Sequence, residues 1–301
     1  MSVQPQLEPV LRVPAATVRR KGLSREWVAF WHNPLAIAGV AILGFLVLFS
    51  WVGPMIYHAS AYAYHLDEIV APPSSSHPLG TDSLGRDNLA RLMLGGQLSL
   101  IVGFVAAVVG MGFGTIYGLL SGQFGGWMDT GLMRIVDITL AVPSIFLLIF
   151  LNTVFSPSAI VMIFIIAVTS WQGIARIVRS EVLSLRSRDF IEAARAEGTG
   201  WFRILWRHLL PNTMGSILVY TTFSVGLAIL TLAGLSFLGF GLLPPAPNWG
   251  ESLSEGTQYV FQNAWWLIYP PGILIVLAEL GVNFLGDALS AAFDPRLRER
   301  R

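Results

Sequence analysis

Cysteine is absent and lysine occurs once, at Lys21, in the 301 residues of this chain. Without cysteine there is no disulfide framework and no thiolate metal site. A phosphate-binding P-loop ends in Lys followed by Ser or Thr, and here Gly22 follows the lone lysine. ATP hydrolysis by that route is therefore excluded. Leu120-Ser121-Gly122-Gln123 looks faintly like part of an ATPase signature, but with no Walker motif it is a chance match. There is no H-E-x-x-H helix and no G-x-S-x-G elbow, which removes the zinc and serine hydrolase frameworks built on them. No catalytic residue is expected. Of five histidines, His58, His65 and His77 share one segment. Their spacing fits no metal motif, so no metal site is expected. Charge is scarce as well: 12% of residues, where a soluble domain carries about 25%.

What fills the chain is apolar: 54% of residues, with a mean hydropathy of +0.63. The apolar residues come in blocks near the roughly 20 needed to cross about 30 Å of hydrocarbon. Six spans are expected, at 35–57, 98–121, 132–152, 158–178, 214–241 and 266–289. The fold class is an all-α polytopic membrane protein. Residues 1–34 read as a tail ending in an interfacial helix, capped by Ser24, that carries Trp27, Phe30 and Trp31. Pro34 marks the turn into the first span. Residues 58–96 form an outer loop, 97–292 a five-helix core with a basic loop at 179–212, and 293–301 a second tail. The long apolar block after the first tail has no small-residue cleavage site, so it reads as an anchor and not a cleaved signal peptide. Small residues along the second and fifth spans suit close helix contact.

Basic residues set the orientation. Five lie in the first tail, seven between spans four and five, and four in the last tail, with Arg134 beside them at the end of span three. Only Arg86 and Arg91 fall on the other side. Both termini are therefore expected in the cytoplasm. Topology accounts for most of the arginines, and no nucleic acid is implied.

The basic loop has internal order. Asp189 can cap a short helix, with Glu192 three residues on as in a capping box. Phe190, Ile191 and Ala194 give it an apolar stripe, and Gly198 and Gly200 end it. A second amphipathic segment runs from Trp201 to Leu210, where Pro211 stops it. A short helix of this kind suits another protein's groove.

Glu192-Ala193-Ala194, then Gly198, and later Leu210-Pro211 resemble the EAA loop of ATP-binding-cassette importer permeases. The family often has an apolar residue where His208 stands here, a departure that leaves the helical part of the loop intact. The resemblance implies that Asp189, Glu192, Ala193, Ala194 and Gly198 form a coupling helix seated in an ATPase subunit, with Leu210 and Pro211 fixing the return to the membrane. Further motifs resemble the C-type subunit of oligopeptide and dipeptide permeases. They are Gly80-Thr81-Asp82, Gly85-Arg86-Asp87 and Arg91-Leu92, then Asn248-Trp249-Gly250 and Ala264-Trp265-Trp266, and finally Asp294-Pro295-Arg296-Leu297. Gly286-Asp287-Ala288-Leu289 departs from the family's usual glycine at position 288.

That resemblance implies a type-1 importer transmembrane domain in the bacterial inner membrane. It forms half of a peptide channel with a homologous B-type permease subunit. Two ATPase subunits, an extracytoplasmic peptide-binding protein and membrane lipid are the other partners. ATP and magnesium would sit in the ATPase subunits, and no cofactor in this chain. Nickel, glutathione and antimicrobial peptides are alternative cargoes of similar subunits. From a different class, an ion-coupled secondary transporter would need several ionisable groups deep in the membrane. Only Glu279 lies deep in a span, and it is the candidate for the substrate path. Arg134 and Asp137, three apart on one helix face, are expected to pair.

Overall fold

Apolar runs of this length can only satisfy their backbone groups in hydrocarbon as helices. The computed structural model describes residues 23–293. In chain order its helices are α1 (Leu23–Trp31), α2 (Pro34–Ile56), α3 (Asn88–Phe124), α4 (Gly126–Ala141), α5 (Ser144–Val154), α6 (Ala159–Arg186), α7 (Asp189–Ala196), α8 (Trp201–Phe237), α9 (Trp249–Thr257) and α10 (Trp265–Phe293). Five of them, α2, α3, α6, α8 and α10, are each long and apolar enough to cross a membrane. Apart from Arg25, which lies on α1, the basic residues of both tails and the Asp294–Leu297 motif lie outside the described residues.

The expected third span, 132–152, is not one helix. It is the pair α4 and α5, bent by 83°. Pro143 disfavours helical geometry in the residue before it, and Val142 is extended at φ −87° and ψ 121°. With the pair taken as one broken span there are six crossings. They leave α1, α7 and the end of α10 at one end of the bundle, the loop end. Residues 58–87 and α9 cover the other, the cap end.

Helix ends also differ from the sequence expectation. Helix α3 starts at Asn88 because Asp87 caps it, its carboxylate accepting the Ala90 N–H at 2.8 Å. Helix α6 continues to Arg186, so Arg176, Arg179 and Arg186 lie on the helix and not in a loop. Ser24 is the second residue of α1 and not its cap. Phe30 on that helix is buried against Ala36, Ala288 and Ala292. Pro34 opens α2, where Asn33 accepts the Leu35 N–H at 3.0 Å. Pro211 does not stop a helix. A π turn over Leu205–Leu209 absorbs the proline's missing N–H, and α8 runs through it unbroken. A second π turn, Leu48–Val52, frees the Ser50 carbonyl, which accepts from Gln97 Nε2 at 2.7 Å.

The bundle is held by a stripe of glycines. Gly110, Gly114, Gly118 and Gly122 recur every fourth residue of α3 and face α6. A Cβ on Gly114 would stand 2.3 Å from the Trp171 carbonyl oxygen, and one on Gly118 2.4 Å from that of Ala175. The two backbones thus meet with no side chain between them, the close approach that drives helix pairing in lipid. Around this pair, Val102, Ala106, Ile165, Ala228 and Leu232 form the main core with α8.

Gly118→Ile forces the α3–α6 pair apart. It should cost about 1–3 kcal/mol or more, the usual penalty of overpacking, and lower the melting temperature of the purified protein. Gly112→Ala is the matched control, because nothing lies within 4 Å of its Cβ position. Equal melting temperatures for the two variants would contradict the stripe.

Candidate functional site

At the cap end, a short loop folds over a buried carboxylate. Asp82 is 2% exposed, Arg86 4% and Arg91 1%. Asp82 Oδ1 accepts the backbone N–H groups of Leu84 and Arg86 at 2.9 Å. Its Oδ2 takes Arg86 Nε at 2.6 Å and stands 3.2 Å from Arg91 Nε. Beyond them, Arg91 Nη2 is 3.6 Å from Glu251, and Arg86 Nη2 is 3.7 Å from Glu255. Those two acids sit one turn apart on α9, and Glu255 also accepts the Ser83 N–H at 2.8 Å. Burial holds the Glu251 carboxyl above the usual carboxylate range, against the pull of Arg91 and Arg86.

The rest of the outer-loop motif locks this cluster to the bundle. Thr81 is fully buried, its hydroxyl donating to the Glu68 carbonyl and accepting the Ala71 N–H at 2.8 Å. Gly80 and Gly85 both have positive φ, and Gly85 passes against His65, whose carbonyl oxygen would be 1.9 Å from a Cβ. Trp249 is fully buried and donates Nε1–H to the Leu92 carbonyl at 2.9 Å. Gly250 lets α9 rest on α8, where a Cβ would stand 2.3 Å from the Ala233 oxygen. Asn88 donates to the Trp266 carbonyl at 2.7 Å. Residues far apart in sequence, from Gly80 to Asp87 and at Trp249 and Gly250, are thus one structural unit.

The histidines are not grouped as ligands. Among the described residues, no three His, Cys, Asp or Glu side chains are placed to hold a metal ion. His77 instead bridges two acids, with Nδ1 2.8 Å from Asp87 and Nε2 3.0 Å from Glu68. Tyr57 donates to the same Asp87 at 2.6 Å. The hydrogen bond to Asp87 raises the His77 pKa above its ordinary value, although burial opposes it. Sequence reasoning missed this network because its members are 9 to 30 residues apart.

At the loop end, α7 presents two faces. Ile191 is fully buried and Ala194 is 7% exposed. Ile191 joins Val178, Val182, Ile204 and Leu209 in a core shared by α6 and α8. Asp189, Glu192, Ala193 and Arg195 face outward. Ala194 therefore lies on the buried side of the helix with Ile191. Asp189 is not the cap: Arg188 holds that position, and Asp189 and Glu192 lie in the first turn, where the helix dipole favours acids. The far end matches the expectation for Gly198. Its φ is +77°, its N–H bonds to the Arg195 carbonyl, and Thr199 N–H bonds to that of Ala194. That is the paired closure of a Schellman ending. Leu210 and Pro211 open the straight part of α8 just beyond the π turn. His208 lies in that turn, with its ring 6.4 Å from that of Phe190.

Two ion pairs brace the same end. Arg179 binds Asp129 through two bonds of 2.5 and 2.6 Å, and Arg186 donates to the carbonyls of Gly122 and Gln123 at 3.2 and 3.3 Å. Asp137 pairs with Arg176 at 2.6 Å, in place of the expected partner Arg134. A basic residue N-terminal to an acid is the weaker order on a helix, and α6 brings Arg176 directly alongside. Glu279 lies where α10 meets α8. Its Oε1 accepts from Asn283 at 3.2 Å, its Oε2 is buried without a donor, and a Cβ on Gly226 would be 2.6 Å away.

Comparison of the sequence with known proteins matches most of it to one family. Residues 114–299 match the model of the binding-protein-dependent transport system inner membrane component. Residues 24–73 match the N-terminal transmembrane domain of oligopeptide transport permease C. The dipeptide transport system permease protein DppC of Bacillus subtilis is 38% identical, over 94% of this chain and 90% of that protein. The oligopeptide permease protein OppC of the same organism is 38% identical, over 95% and 94%. The glutathione transport system permease protein GsiD of Pectobacterium atrosepticum is 36% identical, over 93% and 95%. A solved structure of the MetNI methionine ABC transporter in an inward-facing conformation shares the fold. Its TM-score is 0.55, at 23% identity, over 67% of this chain and 96% of that one.

Two outcomes are expected at the cap. Asp82→Ala strands two buried guanidinium groups and should cost about 3–5 kcal/mol, seen as loss of folded protein from the membrane. His77 has its pKa raised in the fold. Its contribution is therefore full below the unfolded value, near 6.5, and is lost as pH rises through the raised value. Amide exchange over residues 66–88 should accelerate there beyond the intrinsic rate, and His77→Gln should remove that step.

Proposed function

The chain belongs to the family of binding-protein-dependent transport system inner membrane components, as a multi-pass membrane protein, and on that premise we propose that it is a peptide permease subunit driven by separate ATPases. The observation that carries the coupling is α7. Its buried side is fixed to α6 and α8, while Glu192 and Ala193 stand outward on a helix closed by Gly198. A helix held in this way can transmit a push to two spanning helices at once. In this reading the loop end is cytoplasmic, and ATP and magnesium are held by two ATPase subunits docked there. Membership of a binding-protein-dependent family removes the reason for an ion-coupled mechanism.

Peptides are the cargo in this reading because relatives that share most of the chain's length are named as dipeptide and oligopeptide permeases. A peptide-binding protein then docks on the cap end. The α4–α5 hook carries exposed Ile138, Ile145, Phe146 and Phe150, an apolar face that suits contact with the homologous B-type subunit within lipid. Glu279 is proposed to favour cationic groups on the path, its free oxygen available where α8 and α10 meet.

The tests use the whole transporter in proteoliposomes with its binding protein. Glu192→Lys and Gly198→Asp should leave insertion intact, lower uptake about tenfold or more, and leave ATP hydrolysis running without transport. Normal uptake in both variants would remove α7 from the coupling role. Glu279→Gln should reduce uptake of basic peptides relative to neutral ones. An unchanged ratio would end the assignment of Glu279 to the path.

A further inference from the structure

The cap cluster does not balance its charge. Asp82, Glu251 and Glu255 bring three carboxylates, and Arg86 and Arg91 bring two guanidinium groups. Asp82 takes both Nε groups, so the contacts of the two α9 acids to the guanidinium groups are the longer ones, at 3.6 and 3.7 Å, and Glu255 adds only the Ser83 N–H. Glu251 Oε2 is buried and accepts no hydrogen bond.

Beside these acids is a cavity of about 370 Å³. Ser83, Arg86, Ser236, Glu251, Ser254 and Glu255 contribute to its wall, together with the 239–244 turn after α8. One wall residue supplies an independent observation. Ser236 is 4% exposed, and its hydroxyl has no hydrogen-bond partner. A buried hydroxyl without a partner costs free energy, as does an unmatched carboxylate oxygen. Both residues line the same space, and both oxygens, just beneath its surface, can accept.

We propose that this cavity is a subsite for a primary ammonium group, formed by Glu251, Glu255 and Ser236, which holds the amine of a substrate as it enters from the cap end. An ammonium brings three N–H donors and one positive charge. It supplies a donor to Glu251 Oε2 and another to Ser236 Oγ, and it cancels the excess negative charge. Arg86 does not fill that role, because its Nε is committed to Asp82 and its Nη2 faces Glu255, and Arg91, whose Nη atoms also make no hydrogen bond, approaches Glu251 at Oε1 and leaves Oε2 without a donor. The volume suits a lysine side chain or a peptide N-terminus, and not a folded protein segment. The substrate part of the proposal rests on the peptide-import reading; the cation site itself does not.

The test has two arms on the intact transporter. In the first, amide exchange over residues 234–258 is followed with glycinamide, a cation, or acetamide, its neutral counterpart, at matched ionic strength. Glycinamide should slow exchange there and acetamide should not. Glu251→Gln should abolish the difference and Ser236→Ala should weaken it, which covers the case in which one variant folds poorly. In the second arm, uptake of a lysine-containing tripeptide is compared with that of trialanine, the binding protein being unaltered. Glu251→Gln should lower the lysine-to-alanine ratio by about tenfold, the scale of one charge-assisted hydrogen bond. Equal effects of glycinamide and acetamide would overturn the cation site. Selective protection with an unchanged uptake ratio would overturn its role toward substrate. Selective protection in a transporter that imports neither peptide would uphold the cation site and fail the peptide-import reading instead.

Discussion

A carboxylate cannot be taken out of water alone, and Asp82 shows what must accompany it. The cost of burying one ion is several kcal/mol, recovered only with good geometry and further hydrogen bonds. Asp82 has two backbone donors and two guanidinium groups around it. Those requirements fix the loop from Asp82 to Arg86 as a tight turn and place Arg91 on the first turns of α3. The arginines then need partners of their own, and these come from α9. The cap is thus organised outward from one carboxylate, and the last outer segment is tied to the first by charge and not by apolar contact alone.

Helix α3 carries that constraint through the molecule. It has 37 residues, a length of about 55 Å at 1.5 Å per residue. It begins beside the charge cluster at Asp87 and ends at Phe124, where Arg186 binds the carbonyls of Gly122 and Gln123. Between those ends its glycines leave no slack against α6. The two functional ends of the chain are therefore joined by a rod that cannot shear easily, because backbone atoms themselves are in contact along it.

The sequence pattern shows the crossings and the short helix α7 more clearly than the site that ties the cap together. Spans are legible because length and apolarity are local properties. The ending of α7 is legible because Gly198 supplies a backbone state that few residues reach, and its φ is +77°. The cap motif could be recognised as a pattern, but not why its members go together: Asp82 meets Glu251 through Arg91, across more than 150 positions. The break at Val142–Pro143 had a local signal in Pro143, masked by the apolar residues on both sides. The shift of Asp137 from Arg134 to Arg176 had no local signal, since it depends on how α6 lies against α4.

The same contacts locate where the molecule can yield. A push on α7 would reach α6 and α8 through Ile191. Along α6 it meets the glycine stripe, so α3 and α6 move as a unit. Along α8 it must first pass the π turn at Leu205–Leu209, where one extra residue per turn loosens the hydrogen-bond ladder. A second π turn lies in α2, and an 83° bend separates α4 from α5. Rigid helices are joined at compliant points in α2, α4–α5 and α8, and the α3–α6 pair holds none of the three. Because Arg91 lies on that pair and Glu251 on α9, which rests on α8 at Ala233, relative movement of α8 must change the Arg91–Glu251 distance. The charge cluster at the cap therefore bridges the α3–α6 pair and the α8–α9 side of the bundle.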